Sequence, residues 1–448
     1  MSAILDTAAS VTVTERHATP VRRARIGLLG CGTIGRAVVA AITEHPHLNL
    51  DCIGAFVRDA ADARSRNVGT TLVTDPSLVI DTADVVVEVL GGVEPARTLV
   101  TRALERGVPV VTANKTLIAT HGPELRALAH RTGTPLLFEA AVVAGVPFVG
   151  AIARRPVLSG VSALTGILNG TSHFITTGIE RGAEFADVLA SAQANGYAEP
   201  DSSADVSGRD AAEKLTILLH LCGASTARVE ELCRRGIDTL SAHDLIAARA
   251  LGGTIKPIAH ASLAPLSPAN AGRAGGPGSW IGPAFVPSTH LFAHFTGVTN
   301  ALHLQWGTDA PVLFAGPGAG PAVTAATILD DIVEALTAKE TDTFSIGADS
   351  RRAERQTLDL SEAPASQWYV RLSGATFSPD QVAEFLAARG VPALHIEAGA
   401  FGIAAITSVA GYRAAAATAA TLESLGAAVT LLPVIGSTIG DHTTGASR

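Results

Sequence analysis

The sequence predicts an α/β protein of three units: a parallel sheet under covering helices, an α+β unit, and a small C-terminal βαββαβ unit. Three observations predict it. From residue 24 onward, short apolar runs alternate with amphipathic stretches, the pattern of parallel strands buried beneath helices. A glycine-rich turn, Gly30-Cys31-Gly32-Thr33-Ile34-Gly35, stands between the first run and the first amphipathic stretch. Beyond residue 366 the order is strand, helix, strand, strand, helix, strand, which is the ferredoxin-like pattern.

The runs 24–29, 50–57, 83–90, 109–113 and 135–139 are short and apolar and read as strands buried on both faces. Between them, 34–44 and 97–106 carry helical period. A second region mixes a strand-like run, 161–168, with helices at 184–195 and 208–223. The stretch 262–279 is rich in Pro, Gly, Ala and Ser and reads as a loop within that region. The C-terminal elements fall at 368–372, 379–389, 393–398, 402–409, 412–426 and 429–434. The expected division is a flexible arm at 1–23, a first domain at 24–140 completed by 311–337, and a second at 141–310. A polar linker at 338–366, a third domain at 367–437 and a flexible tail at 438–448 follow.

Of 448 residues, 47% are hydrophobic and 17% charged, a globular composition with material for more than one core. Aromatics are only 4%, so the cores are aliphatic. A net charge of −8 without a basic run excludes a nucleic-acid surface, because phosphate binding needs clustered Lys and Arg. Cys31, Cys52, Cys222 and Cys233 show no CxxC spacing and read as reduced thiols rather than a zinc site. Residues 1–23 lack an apolar core, so no signal peptide is expected. No run is long enough to span a membrane, and a cytoplasmic protein is expected.

In the glycine turn, Gly30 permits the bend, Gly32 lets backbone approach a pyrophosphate, and Gly35 lets the helix pack on the strand. Thr33 and Ile34 then open a helix whose free N–H groups face the phosphates. With strand before and helix after, this is the dinucleotide-binding, Rossmann-type arrangement. The second strand ends Val57-Arg58-Asp59. Arg58 suits a 2′-phosphate and so NADP, whereas Asp59 on the ribose would admit NAD.

Three further segments carry chemistry. Thr112-Ala113-Asn114-Lys115 follows a buried strand, where open α/β sheets bind ligands. The second is 166–172. The third runs from Gly196 through Glu199 and Asp205 to Asp210 and Lys214. Asp210 and Lys214 lie four apart on one helix, hence on one face, beside an apolar stripe of Ala211, Leu215, Leu218 and Cys222. Carboxylates and an ammonium beside each other suit a zwitterionic amino acid: Glu199 and Asp210 for its ammonium, Lys214 for its reacting oxygen. The same pair also reads as an ordinary surface salt bridge.

These segments, in this order, resemble homoserine dehydrogenases across 25–334. The likeness lies in the glycine turn, Glu88-Val89-Leu90-Gly91-Gly92, Ala113-Asn114-Lys115, Glu139-Ala140-Ala141, 166–172, the run from Ala198-Glu199-Pro200-Asp201 to Glu213-Lys214, and Gly316-Pro317-Gly318-Ala319-Gly320. The resemblance implies reversible hydride transfer between NAD(P)H and L-aspartate 4-semialdehyde, giving L-homoserine. It places the catalytic lysines on Lys115 and Lys214, and the substrate site on Glu199 and Asp210 with Asp205, Gly196 and Thr171. Cofactor contacts fall on Gly30, Gly32, Thr33, Ile34, Gly35, Arg58, Gly91, Thr112, Asn114, Lys115 and Gly318. A homodimer or homotetramer is implied.

The chemistry agrees. Hydride reaching an aldehyde carbon leaves an alkoxide, which needs a cation and a proton. A lysine supplies both, more readily if desolvation lowers its pKa. The expected division has Lys214 on the reacting oxygen and Lys115 as general acid and base, directly or through water, with the proton transfer open to either lysine.

The resemblance also implies a monovalent cation, usually sodium, on backbone carbonyls at Glu139, Val142, Ala144 and Val146. Val143 stands where relatives usually have Gly, and would be strained if that Gly supplies a positive φ. His173 replaces a more usual Asn and reads as a local packing or hydrogen-bonding change. Thr324 and a helix at 325–335 resemble the segment that returns to complete the nucleotide domain. The C-terminal order resembles an ACT domain, which in related dehydrogenases binds an end-product amino acid. The usual Asp-x-Pro-Gly is here replaced across 373–380, from Ser373-Gly374 to Pro379-Asp380. An amino-acid effector site and dimerisation by sheet extension both follow as readings.

Rival readings are weaker. Aspartate-semialdehyde dehydrogenase chemistry needs a cysteine nucleophile, yet Cys31 lies in the glycine turn and Cys222 and Cys233 in helical stretches. A relative acting on another amino aldehyde is an alternative, as is a non-catalytic dinucleotide and amino-acid sensor. Retention of Lys115, Lys214, Glu199 and Asp210 together speaks against the sensor.

Overall fold

The computed structural model describes residues 22–59, 68–153, 161–263, 278–306, 311–338, 360–374 and 376–436. Most of the N-terminal arm, the Pro/Gly-rich 264–277, most of the linker, Ala375 and the C-terminal tail lie outside the described residues.

The first sheet grows from the alternation of apolar runs and helices. Its elements are β1 (Ala24–Leu29), α1 (Thr33–Glu44), β2 (Leu50–Phe56), β3 (Leu72–Val73), α2 (Ser77–Ile80), β4 (Val85–Glu88), α3 (Ala96–Glu105), β5 (Val110–Thr112), α4 (Lys115–Thr132) and β6 (Leu136–Leu137). The order is β3-β2-β1-β4-β5-β6, parallel throughout. The reversal of strand order at β1 and β4 opens the crevice where such sheets take ligands. The run 135–139 is shorter as a strand than expected, because Glu139–Ala141 turns into a 3-10 helix. Helix α4 was not evident in the sequence: Gly122 and Pro123 interrupt its pattern, and an Asn114 side-chain cap starts it instead.

The central region contains α5 (Val149–Ala153), β7 (Val161–Ile167), α6 (Gly170–Glu180), α7 (Phe185–Ala194), α8 (Ser203–Val206), α9 (Arg209–Leu221), α10 (Ala242–Ala250), β8 (Gly253–Ser262), β9 (Gly278–Pro287), β10 (Thr299–Trp306) and β11 (Val312–Pro317). Its sheet is antiparallel, ordered β11-β10-β7-β8-β9. Helix α9 carries no solvated face: every residue from Asp210 to Leu221 is buried, so the surface-salt-bridge reading of Asp210 and Lys214 fails.

One boundary needs correction. The segment 311–337 does not return as a whole to the nucleotide domain. β11 pairs with β10, while α11 (Pro321–Ala338) alone packs back against α1 and the first sheet. Ladder hydrogen bonds hold the strand, and burial of Ile328, Leu329 and Ile332 among Ile26, Leu28 and Val38 holds the helix. α4 and α9 share the core on the opposite face of the sheet.

The C-terminal unit comprises β12 (Trp368–Ser373), α12 (Pro379–Ala387), β13 (Ala393–Gly399), β14 (Gly402–Thr407), α13 (Tyr412–Ser424) and β15 (Ala428–Pro433). The order β13-β14-β12-β15 is antiparallel, as the ferredoxin-like pattern requires. It does not stand on its own core: Trp368, Val370 and Leu372 share one with Trp280, Ala284 and Phe292 of the central region. Among the described residues, no helix is long and apolar enough to cross a membrane.

Candidate active site

Two loops at the carboxyl ends of parallel strands are tied together by one buried carboxylate. Glu88, fully buried at the end of β4, accepts hydrogen bonds from Leu90 N at 2.8 Å, Thr112 Oγ1 at 2.6 Å and Asn114 Nδ2 at 3.2 Å. Burial pushes its pKa up, against those hydrogen bonds. Asn114 also donates to Gly92 O at 2.7 Å and caps α4 by accepting from Leu117 N at 3.1 Å. The side chains of Thr112 and Asn114, expected at the cofactor, are thus engaged in fixing the loop. Their effect is to start α4 at Lys115.

Across the cleft, α9 begins after Gly208, whose φ of 76° is left-handed. Asp210 Oδ1 lies 3.1 Å from Lys115 Nζ, and Asp210 Oδ2 lies 2.8 Å from Lys214 Nζ. Lys214 also donates to Leu168 O at 2.9 Å. Burial alone would push the Asp210 carboxyl up. Lys214 and Lys115, with hydrogen bonds from Lys214 and Asn169, outweigh it and hold the carboxyl well below the usual carboxylate range. In return Asp210 raises the Lys115 pKa despite burial. That reverses the expected depression, because a paired anion outweighs partial desolvation.

Asn169, within the 166–172 motif, links the two carboxylates of the cleft. It caps α6 by accepting from Ser172 N at 2.7 Å, and its amide donates to Asp210 Oδ2 at 2.8 Å and Asp205 Oδ1 at 2.6 Å. Two carboxylates are held apart by one amide. Burial and Asp210 raise the Asp205 pKa, although the Asn169 bond opposes it. Thr171 Oγ1 donates to Tyr197 O at 2.6 Å, anchoring the loop that bears Gly196 and Glu199, both exposed. A helix cap paired with a downstream Asp is the only sequence signal for Asn169, and it is weak without the fold.

The glycine turn has the geometry a dinucleotide needs. Gly30 has φ +106°, and a Cβ on Gly35 would lie 2.5 Å from Gly30 O. Gly32 starts α1 without a side-chain cap, leaving the first N–H groups, at Thr33 and Ile34, for a ligand. Arg58 is exposed just beyond β2, and Gly91 has φ +75° in the loop after β4. Gly318 lies after β11, its carbonyl accepting from Ala144 N at 3.1 Å. These residues fit a dinucleotide lying across the carboxyl ends of the strands.

Around the implied cation carbonyls, the Glu139 carboxylate accepts from Val149 N at 2.8 Å and Gly150 N at 2.7 Å. Ala144 O accepts from Thr327 Oγ1, and Val146 O from Phe148 N at 2.9 Å. Val143 is unstrained: among the described residues, Asn49 is the non-glycine with positive φ. His173 is fully buried, its two ring nitrogens facing Thr299 O at 2.9 Å and Phe295 O at 3.1 Å.

The chain matches known proteins along most of its length. The family model for the homoserine dehydrogenase NAD-binding domain matches residues 30–139, and that for homoserine dehydrogenase matches 147–333. A homoserine dehydrogenase from Neisseria gonorrhoeae is 32% identical over 363 residues, 78% of this chain and 81% of the relative. The chain belongs to the homoserine dehydrogenase family. It is an NAD(P)-dependent oxidoreductase, and the reaction expected from the motifs is that of the family. A homoserine dehydrogenase structure from Thiobacillus denitrificans superposes with a TM-score of 0.80 at 30% identity, covering 92% of this chain and 98% of the other. A hyperthermophilic archaeal homoserine dehydrogenase in complex with NADPH superposes with a TM-score of 0.58 at 25% identity, covering 70% of this chain and 98% of the other.

Proposed function

We propose that the lysine pair on Asp210 carries the proton and charge of the interconversion of aspartate semialdehyde and homoserine. The observation that carries this reading is that two ammonium groups from different domains converge on one buried carboxylate, with the Lys115 side chain still 40% exposed. When bound, the nicotinamide supplies or takes the hydride. Lys214, one of its three N–H groups on Asp210 and one on Leu168 O, turns the third to the reacting oxygen. Lys115 delivers the proton to the alkoxide and retrieves it in the reverse direction, directly or through water. Asp210 accepts from both lysines and Asn169, which leaves about one acceptor position, so the substrate ammonium rests on Glu199 and Asp210, with Asp205 near by and the Gly196 turn and Thr171 shaping the pocket.

Arg58 favours NADP, with NAD also admitted; the NADPH complex of the archaeal relative supports this preference. Each carbonyl at Glu139, Val142, Ala144 and Val146 has two lone pairs, which leaves acceptor capacity for a monovalent cation such as sodium. The C-terminal unit is read as ACT-like. A cavity of about 540 Å³, lined by His243, Ser373, Gly374, Phe377 and Phe401 among others, offers a place for an amino-acid effector. A homodimer or homotetramer is the proposed assembly.

The test is homoserine-dependent reduction of NADP and of NAD, followed by nicotinamide absorbance, with Lys214→Ala alongside. The wild type should turn over, faster with NADP, and the variant should lose about 10³-fold. No turnover with either cofactor would sink the substrate assignment.

A further inference from the structure

β10 lies between β7 and β11, so at its start two loops of the cleft leave side by side. Leu168, Asn169 and Gly170 follow β7; Gly318 follows β11. Asn300, the second residue of β10, stands between them. It pairs with Gly316 on one side, while its neighbour Ala301 pairs with Ile167 on the other.

Asn300 is only 2% exposed, and its side chain is pressed against both loops. A Cβ on Gly318 would lie 2.3 Å from Asn300 Cγ and Oδ1, and one on Gly170 would lie 3.4 Å from that same Oδ1. Among the described residues, Asn300 Nδ2 has no hydrogen-bond partner. A buried donor left without an acceptor costs about 1–3 kcal/mol. A leucine fills a similar volume without that cost, so stability of the free protein does not explain the amide. Its surroundings do. Asn169 in one loop orients Asp210, and Gly318 in the other borders the proposed cofactor site.

We propose that Asn300 is a cofactor-positioning residue whose Nδ2 donor is satisfied only when a nicotinamide dinucleotide occupies the cleft. It thereby sets the Gly318 loop against the Asn169–Gly170 turn, and so the cofactor against the lysine pair. This rests on the reading of Gly318 as a cofactor contact.

The experiment is a fluorescence titration of the full-length protein with NADPH and with NADH, together with melting curves with and without each. Wild type, Asn300→Leu and Asn300→Ala are compared. Asn300→Leu should melt, without cofactor, at or above the wild-type temperature, yet bind the preferred cofactor at least tenfold more weakly and lose most of the cofactor-induced rise in Tm. Asn300→Ala should lose binding by a similar factor. An Asn300→Leu protein that melts lower without cofactor but binds with wild-type affinity would overturn the proposal and leave Asn300 a packing residue. Wild type that binds neither dinucleotide would overturn the cofactor reading and this proposal together. Wild type that binds NADPH but does not oxidise homoserine would defeat the substrate alone, and the affinities of the variants would still decide for or against Asn300.

Discussion

Two aspartates, Asp210 in the cleft and Asp244 beneath the C-terminal unit, solve the same electrostatic problem in different ways. Both are buried, and burial alone would raise both, yet cations hold both low. At Asp244, Arg371 donates from Nε at 2.6 Å and Ser241 from its backbone N at 2.9 Å and its hydroxyl at 2.7 Å. Arg371 spends a further N–H on Phe401 O, and its side chain is 11% exposed. At Asp210 the cations are lysines with donors to spare, and one reaches solvent. A cation that reaches solvent and can surrender its proton beside a fixed anion, rather than burial or a shifted pKa alone, separates a reactive centre from a structural clamp.

The largest effect is expected at the clamp. Arg371→Met leaves Asp244 as an uncompensated buried charge and should cost about 3–5 kcal/mol of stability, read by calorimetry, with homoserine turnover at 25 °C within about twofold of wild type. A collapse of turnover in protein that remains folded would mean that the two centres are coupled. Next, Asn169→Ala removes the amide between Asp205 and Asp210. The loss of a hydrogen bond to a charged group is worth about 1.5–3 kcal/mol, so kcat/KM should fall roughly ten- to a hundredfold, with a changed pH profile. A drop in Tm alone would reduce Asn169 to a helix cap.

The smallest effect concerns histidines that touch neither aspartate. Burial lowers the pKa of His173 to about 4, with Lys256 adding to it, and lowers that of His260 to about 4, with His303 adding to it. Their folded values lie below the ordinary 6.5, so their contribution is full above pH 6.5 and is lost as pH falls towards 4. Tm should therefore fall across that window, less steeply in His173→Asn. An unchanged slope would assign the loss to other groups.

Much of the fold was legible because each signal was local. The glycine turn announced its strand and helix, and the alternation of runs announced the parallel sheet. The antiparallel central sheet was mostly hidden. β8 buries Lys256 against Glu180 at 3.1 Å and His260 against Thr165 at 2.8 Å, so a buried strand reads as polar sequence. α4 was hidden because a cap and neighbouring helices, rather than period, sustain it. Lys115, Lys214 and Asp210 were legible as residues through the family motifs, whereas Asn169 and Asn300 were not.

By itself, the sequence determined the fold class, the dinucleotide turn and the family chemistry, because contiguous motifs fix local backbone and residue type. Only the tertiary structure decided that Lys115 and Lys214 share one carboxylate, that Asn169 holds Asp205 and Asp210, and that the C-terminal unit shares a core with the central region. Apart from Lys214 and Asp210, four apart on one helix, those contacts join residues 36 or more positions apart. They depend on how helices and strands pack, a property that local spacing does not carry.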